Sequence, residues 1–129
     1  MEVGCEALEA FLDCHIPGAL YLDTSRLEVE PFWNLVTDQD LLHTLLGFGI
    51  CHDTTVVLYG RSTTAAARAA HVMLYAGVQD VRLLDGGFSA WLRATLPTET
   101  GDCNAPVPAK SFGVPFPACA LPLRSITLG

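Results

Sequence analysis

The sequence predicts an α/β fold with a mostly parallel central sheet flanked by helices. Short β-branched apolar runs, DTTVVLY and VRLLD, alternate with helical stretches at the spacing of strand–helix–strand crossovers. DTTVVLY is apolar on both sides, as a strand buried in a parallel sheet is. At 129 residues, 50% hydrophobic and 16% charged, the chain suits one domain around a single core and is too apolar for disorder.

From the amino end, MEVGCEALEAFLD reads as the tail of a strand followed by a short helix. HIPGALYLD then sets a Pro-Gly turn before a short strand, Ala19 to Leu22. Residues 24 to 36 read as irregular, with Pro31, Phe32 and Trp33 in a loop. A helix starts in TDQDLLHTLLGFGI. Thr37 caps it, Asp38 and Asp40 sit at the positive end of its dipole, and Leu41, Leu42, Leu45 and Leu46 form one apolar face. Gly47 and Gly49 stop it.

After the strand DTTVVLY comes a helix from about Thr64 to Ala76. Its Ala66, Ala69 and Ala70 let it sit close to the sheet, and Gly77 ends it. VRLLD is a second buried strand, GG a turn, and FSAWLRAT a further helix with Phe88, Trp91 and Leu92 inward. From Leu96 the chain holds six of its eight prolines and no helical period, which reads as a linker or extended tail outside the core. The expected division is a domain over residues 1–101 and a proline-rich linker or tail over 102–129.

Seven basic against fourteen acidic residues give a formal charge of −7, with no basic stripe, so nucleic-acid binding is not expected. No apolar run approaches the roughly 20 residues that cross a bilayer. MEVGCEALEAF carries no positive region ahead of an apolar stretch, so the chain as read is expected in the cytoplasm. The five cysteines, Cys5, Cys14, Cys51, Cys103 and Cys119, are odd in number and fit no zinc spacing, which suggests free thiols.

Ligands of parallel α/β sheets bind beyond the carboxyl ends of the strands. The loop Gly60, Arg61, Ser62, Thr63 and Thr64 lies there, just before a helix. Free N–H groups, the helix dipole and the Arg61 guanidinium together suit an anion. The same glycine and hydroxyl residues also serve simply to turn the chain and cap the helix. No Cys, His, Asp or Glu lies in the loop, so it offers neither nucleophile nor base.

Three stretches in order resemble the rhodanese (sulfurtransferase) family. HIPGALYLD resembles its amino-terminal signature. LLDGGFSAW resembles its carboxyl-terminal one, where a strand runs into Asp-Gly-Gly and a helix bearing an inward Trp. VVLYGRSTTAAARAA lies where the family has a strand, its active-site loop and the next helix. The likeness covers about residues 2 to 101 and looks closest to bacterial proteins with several rhodanese domains in tandem.

This resemblance implies a rhodanese-like fold and a specific departure from its chemistry. In active members the loop reads Cys-Arg-x-Gly-x-Arg-Ser/Thr, and the cysteine carries sulfur from a donor such as thiosulfate as a persulfide. Laid without gaps on this chain, the cysteine position is Gly60, the following arginine Arg61, the loop glycine Thr63 and the second arginine Ala65. The reactive atom is missing. The resemblance therefore implies a catalytically inactive domain, a structural or regulatory part of a multi-domain thiosulfate sulfurtransferase. Two alternatives stay open: sulfur transfer on another thiol, Cys14 or Cys51, and a non-catalytic module holding an anion or a partner's acidic side chain.

Matched motif residues are expected to maintain the fold. His15, Pro17 and Gly18 shape the entry into the second strand; Asp85, Gly86 and Gly87 make the turn admitting the helix that carries Trp91. In the family the first strand lies inside the sheet, and only Glu2 to Cys5 remain for it here. It is expected to be truncated, leaving neighbouring edge groups partly unpaired, in a chain that is a fragment. The expected partners are another rhodanese domain of a parent chain and a small anion such as sulfate or thiosulfate, with no cofactor, metal, nucleic acid or membrane.

Overall fold

A computed structural model describes residues 1–29, 34–61, 63–101, 106–118 and 124–126. Strand β1 (Glu2–Gly4) leads through helix α1 (Leu8–Asp13) to β2 (Tyr21–Asp23), and a 3-10 turn over Thr24–Arg26 follows. β3 (Glu28–Val29) and β4 (Asn34–Leu35) pair antiparallel beside the sheet. Then come α2 (Asp38–Gly47), β5 (Thr55–Leu58), α3 (Thr63–Ala76), β6 (Asp80–Leu84), α4 (Gly87–Arg93) and β7 (Arg124–Ile126). Pro31, Phe32 and Trp33, read above as a loop, lie outside the described residues.

β1 pairs parallel with β2, and β5, β6 and β7 pair parallel in that order. The two halves meet where Val3 N–H donates to Tyr59 O at 2.9 Å and Tyr59 N–H donates to Met1 O at 3.1 Å. The sheet thus runs β2-β1-β5-β6-β7, all parallel. β1 lies inside it, as the resemblance implied. All three of its residues are matched against β2, and its other edge meets the end of β5.

Local choices made in the sequence set the helices. Thr37 Oγ1 accepts from Asp40 N–H at 3.2 Å at the start of α2, with Asp38 and Asp40 in its first turn. On α3, Ala69 and Ala70 are fully buried and Ala66 nearly so, which lets the helix lie against β1, β5 and β6. Leu41, Leu45 and Met73 fill the space between that helix layer and Val3, Leu22, Val56, Leu58 and Val81 of the sheet. A second, smaller core of Phe11, Ala19, Tyr59, Leu84 and Phe88 lies under α1 and α4.

Three expectations need correction. β5 is not buried on both faces: Val56 and Leu58 are buried, but Thr55 is exposed and Val57 is 37% exposed. Helices α1 and α4 have only six and seven residues and cover the carboxyl end of their face. The uncovered remainder carries a polar network, in which Thr55 Oγ1 and Arg82 Nε both donate to the Asp80 carboxylate at 2.9 Å. Leu92 is not inward but 51% exposed, because the last turn of α4 reaches past the small core that holds Phe88.

The proline-rich segment is not outside the core, since Phe112 is 4% exposed within it and Val114 and Phe116 pack against it. Scattered backbone bonds tie the segment down: Ala109 N–H to Leu46 O, His52 N–H to Phe112 O, and Ala118 N–H to Ala76 O. Gly49, at φ +77°, lies so close that an added Cβ would sit 2.5 Å from the Val107 carbonyl. β7 then adds the last strand beside β6. Over the described residues 106–118 the prolines deny the chain a ladder or helix, so its anchors there are single apolar residues without a period.

Candidate functional site

β5 ends at Leu58, buried Tyr59 and Gly60 follow, and α3 begins at Thr63. On the next strand, Asp85, Gly86 and Gly87 turn the chain from β6 into α4, the two glycines at φ +76° and +58°. Between these two turns lies a cavity of about 220 Å³, lined by Gly60, Arg61, Ala66, Leu83, Leu84, Asp85, Gly86, Gly87 and Ser89. Its position beyond the carboxyl ends of β5 and β6 is where such sheets bind ligands.

The turns are locked to each other. Phe88 N–H donates to Gly60 O at 3.0 Å, and a Cβ on Gly87 would lie 2.3 Å from that same oxygen. Only glycine permits both this approach and the positive φ. Gly60, Arg61, Asp85, Gly86 and Gly87 are therefore brought to one site. Ser62 lies outside the described residues, Thr63 opens the helix, and Thr64 is exposed.

Arg61 folds back onto the sheet. Its Nε donates to Glu2 Oε2 at 3.0 Å and its Nη2 to Glu2 Oε1 at 3.3 Å. Nη2 also donates to the Cys14 carbonyl, and the guanidinium lies 4.1 Å from the centroid of the Phe88 ring. Burial opposes its charge, but hydrogen bonding and charge from Glu2, with Cys14 adding, outweigh that and raise Arg61 above the ordinary arginine value. Glu2 itself is 1% exposed. Beside the pair, Tyr59 Oη accepts from Ile16 N–H at 3.2 Å; burial, with the charge of Glu2, pushes its ionisation up.

His15, Pro17 and Gly18 form a separate knot. Ala19 N–H donates to Ile16 O at 3.0 Å with Pro17 and Gly18 (φ +81°) between them, the residues a type II turn favours. His15 is fully buried and stacks on Phe11 with 3.9 Å between ring centroids. Its Nδ1–H donates to Phe11 O at 2.7 Å, and Nε2 lies within hydrogen-bond distance of Glu99 Oε1 at 2.9 Å. The same Glu99 oxygen accepts from Gly18 N–H. With both ring nitrogens committed and no face on the cavity, His15 staples residues 97–101 to the turn. Trp91 is half-buried and donates from Nε1 to Pro97 O at 2.7 Å, which holds the same segment.

Sequence reasoning did not single out Glu2 or Glu99. An acidic residue inside the short run MEVG was a signal for Glu2, because a strand seldom buries a carboxylate without a cation. Glu99 carried no local signal; its partner lies 84 residues away.

Of the thiols, Cys5, Cys14 and Cys51 are free, while Cys103 and Cys119 lie outside the described residues. None of the described thiols lines the cavity. Cys51 precedes β5 and donates to Ser111 O at 3.2 Å, so the strand separates it from Gly60. Cys14 is nearer, through its carbonyl on Arg61. Among the described residues no helix is long and apolar enough to cross a membrane, and no cluster of His, Cys, Asp or Glu could hold a metal ion.

The rhodanese-like domain family model matches residues 5–94. The thiosulfate sulfurtransferase YnjE of Escherichia coli is 52% identical over 118 residues, covering 92% of this chain and 27% of that protein. Its crystal structure superposes with a TM-score of 0.83 over 92% of this chain and 28% of that one. The sulfur carrier protein TtuD of Thermus thermophilus is 36% identical over 67% of this chain and 31% of its own length. An anaerobic ergothioneine biosynthesis enzyme from Chlorobium limicola, solved with trimethyl histidine, gives 36% identity and a TM-score of 0.81 over 91% of this chain and 31% of that one. The chain thus spans about a third or less of each of these relatives.

Proposed function

The chain belongs to the rhodanese-like domain family, and we propose that it is a member without sulfur-transfer chemistry of its own, acting as a structural or regulatory unit of a longer thiosulfate sulfurtransferase. The observation that supports this is Gly60. It stands at the end of β5 on the cavity wall, where the family's loop motif has its persulfide-forming cysteine. A persulfide needs a sulfur atom to form on, and a glycine supplies only hydrogen at that point. The small fraction of each relative that the chain matches supports a setting among further domains.

Assay of the purified chain for sulfur transfer from thiosulfate to cyanide tests this reading. The expected rate is that of heat-denatured protein. Turnover above that blank refutes silence.

A second reading, that sulfur is carried on Cys14, is favoured by the place of this residue, whose carbonyl accepts from the Arg61 guanidinium beside the cavity. On this reading turnover is present and disappears in Cys14→Ser. A third reading, in which the loop merely holds an anion, meets the commitment of Arg61 to Glu2.

A further inference from the structure

Among the described residues that line the cavity, Arg61 is the one cation, and a carboxylate of this same chain already holds it. Glu2 accepts at both oxygens, 3.0 and 3.3 Å from Arg61 Nε and Nη2. The Cys14 carbonyl and the face of Phe88 take up further parts of the guanidinium. Glu2 sits on β1 between β2 and Tyr59 and is 1% exposed, so its carboxylate has no open solvent to swing into. An anion that displaced it would leave a buried charge unpaired, which is strongly unfavourable. The rest of the cavity wall adds the carboxyl residue Asp85, the hydroxyl residue Ser89, the turn glycines Gly60, Gly86 and Gly87, and apolar groups at Ala66, Leu83 and Leu84.

We propose that Glu2 is an internal counter-anion that closes this pocket to small anions, so that Arg61 is a masked anion receptor and the pocket as built takes an uncharged group. This goes beyond the absence of a thiol at Gly60. A site that lacked the thiol but left Arg61 uncommitted would still bind thiosulfate or sulfate; this one does not. Glu2 is the specificity-determining residue, acting through Arg61.

The experiment is a titration of the full chain with sodium thiosulfate at constant ionic strength, read on the backbone amides of Gly60, Arg61, Gly86 and Gly87 by NMR. Sodium chloride serves as the reference. The wild-type chain is expected to show no saturable shift. Glu2→Gln, which keeps the shape and one acceptor oxygen, is expected to bind with an affinity raised by about tenfold or more. Arg61→Gln added to that variant should abolish the gain.

Saturable binding by the wild type that Arg61→Gln removes would overturn the proposal. So would a folded Glu2→Gln chain that stays blind to thiosulfate. Should Glu2→Gln fail to fold, solvent exchange of the Arg61 Nε–H in the wild type decides. Protection unchanged by thiosulfate supports the mask, and protection lost on addition refutes it. Each of these reads binding, so sulfur transfer on a distant thiol would sink the proposed function and leave this inference standing.

Discussion

On the face covered by α2 and α3, the sheet meets one continuous apolar layer in which Leu41, Leu45, Ala69, Ala70 and Met73 are fully buried. On the face covered by α1 and α4, a handful of buried apolar residues share the work with polar ties. Glu2 grips Arg61, and Glu99 grips His15 and Gly18. The first face is held by area removed from water, which tolerates repacking but not voids. The second is held by a few directional contacts: Glu2 fixes Arg61 at the edge of the cavity, and Glu99 fixes the Pro17-Gly18 turn apart from it. A site that must keep its shape without much apolar mass sits on the second face.

Substitutions separate the two kinds of support. The largest loss is expected from Phe112→Ala, which should cost about 3 kcal/mol in urea unfolding because it empties a place in the larger core. Val107→Ala, at a side chain 82% exposed in the same tail, should stay within about 0.5 kcal/mol. A Phe112 variant as harmless as the Val107 one would return the tail to the role of a linker. Next, Gly87→Ala forces a side chain into a left-handed conformation against the Gly60 carbonyl. It should cost about 2 kcal/mol and shift the amide resonances of both turns. An unchanged spectrum around Gly60 would mean the turns are not locked together.

Glu99→Gln replaces a charged acceptor by a neutral one beside buried His15. It should cost about 1 kcal/mol in urea and speed amide exchange at Gly18. Loss of stability without faster exchange at Gly18 would place the effect elsewhere.

The smallest expected effect follows pH. Burial of Asp23 opposes its charge, but the Ser25 amide and hydroxyl, Tyr21 and the Glu6 N–H outweigh it and lower Asp23 below the ordinary 3.8. A depressed carboxyl stabilises the fold above its unfolded value and loses that contribution as pH falls through the folded one. Solvent screening keeps it to about 0.5 kcal/mol or less. Asp23→Asn should therefore lower stability slightly at pH 6 and match the wild type at pH 2, as read from urea midpoints.

How far these features were legible follows their range along the chain. Thr37 capping α2, the alanines of α3 and the Gly86-Gly87 turn are local chemistry, and the structure has them where the sequence put them. The cavity beside Gly60 follows from strand, turn and helix in order. The ties that hold it do not: Glu2 and Arg61 are 59 residues apart, and no local pattern pairs them. Phe112 was unreadable for another reason, since one buried phenylalanine among prolines has no period. Val57 and Leu92 were misjudged because an apolar run reports what could be buried, not how far a short helix extends to bury it.

The proposal that this chain forms no persulfide is tested most directly by intact-mass spectrometry after incubation with thiosulfate. The mass is expected to remain that of the unmodified protein. A gain of one sulfur that cyanide removes would contradict it, whether it vanishes in Cys14→Ser or in Cys51→Ser.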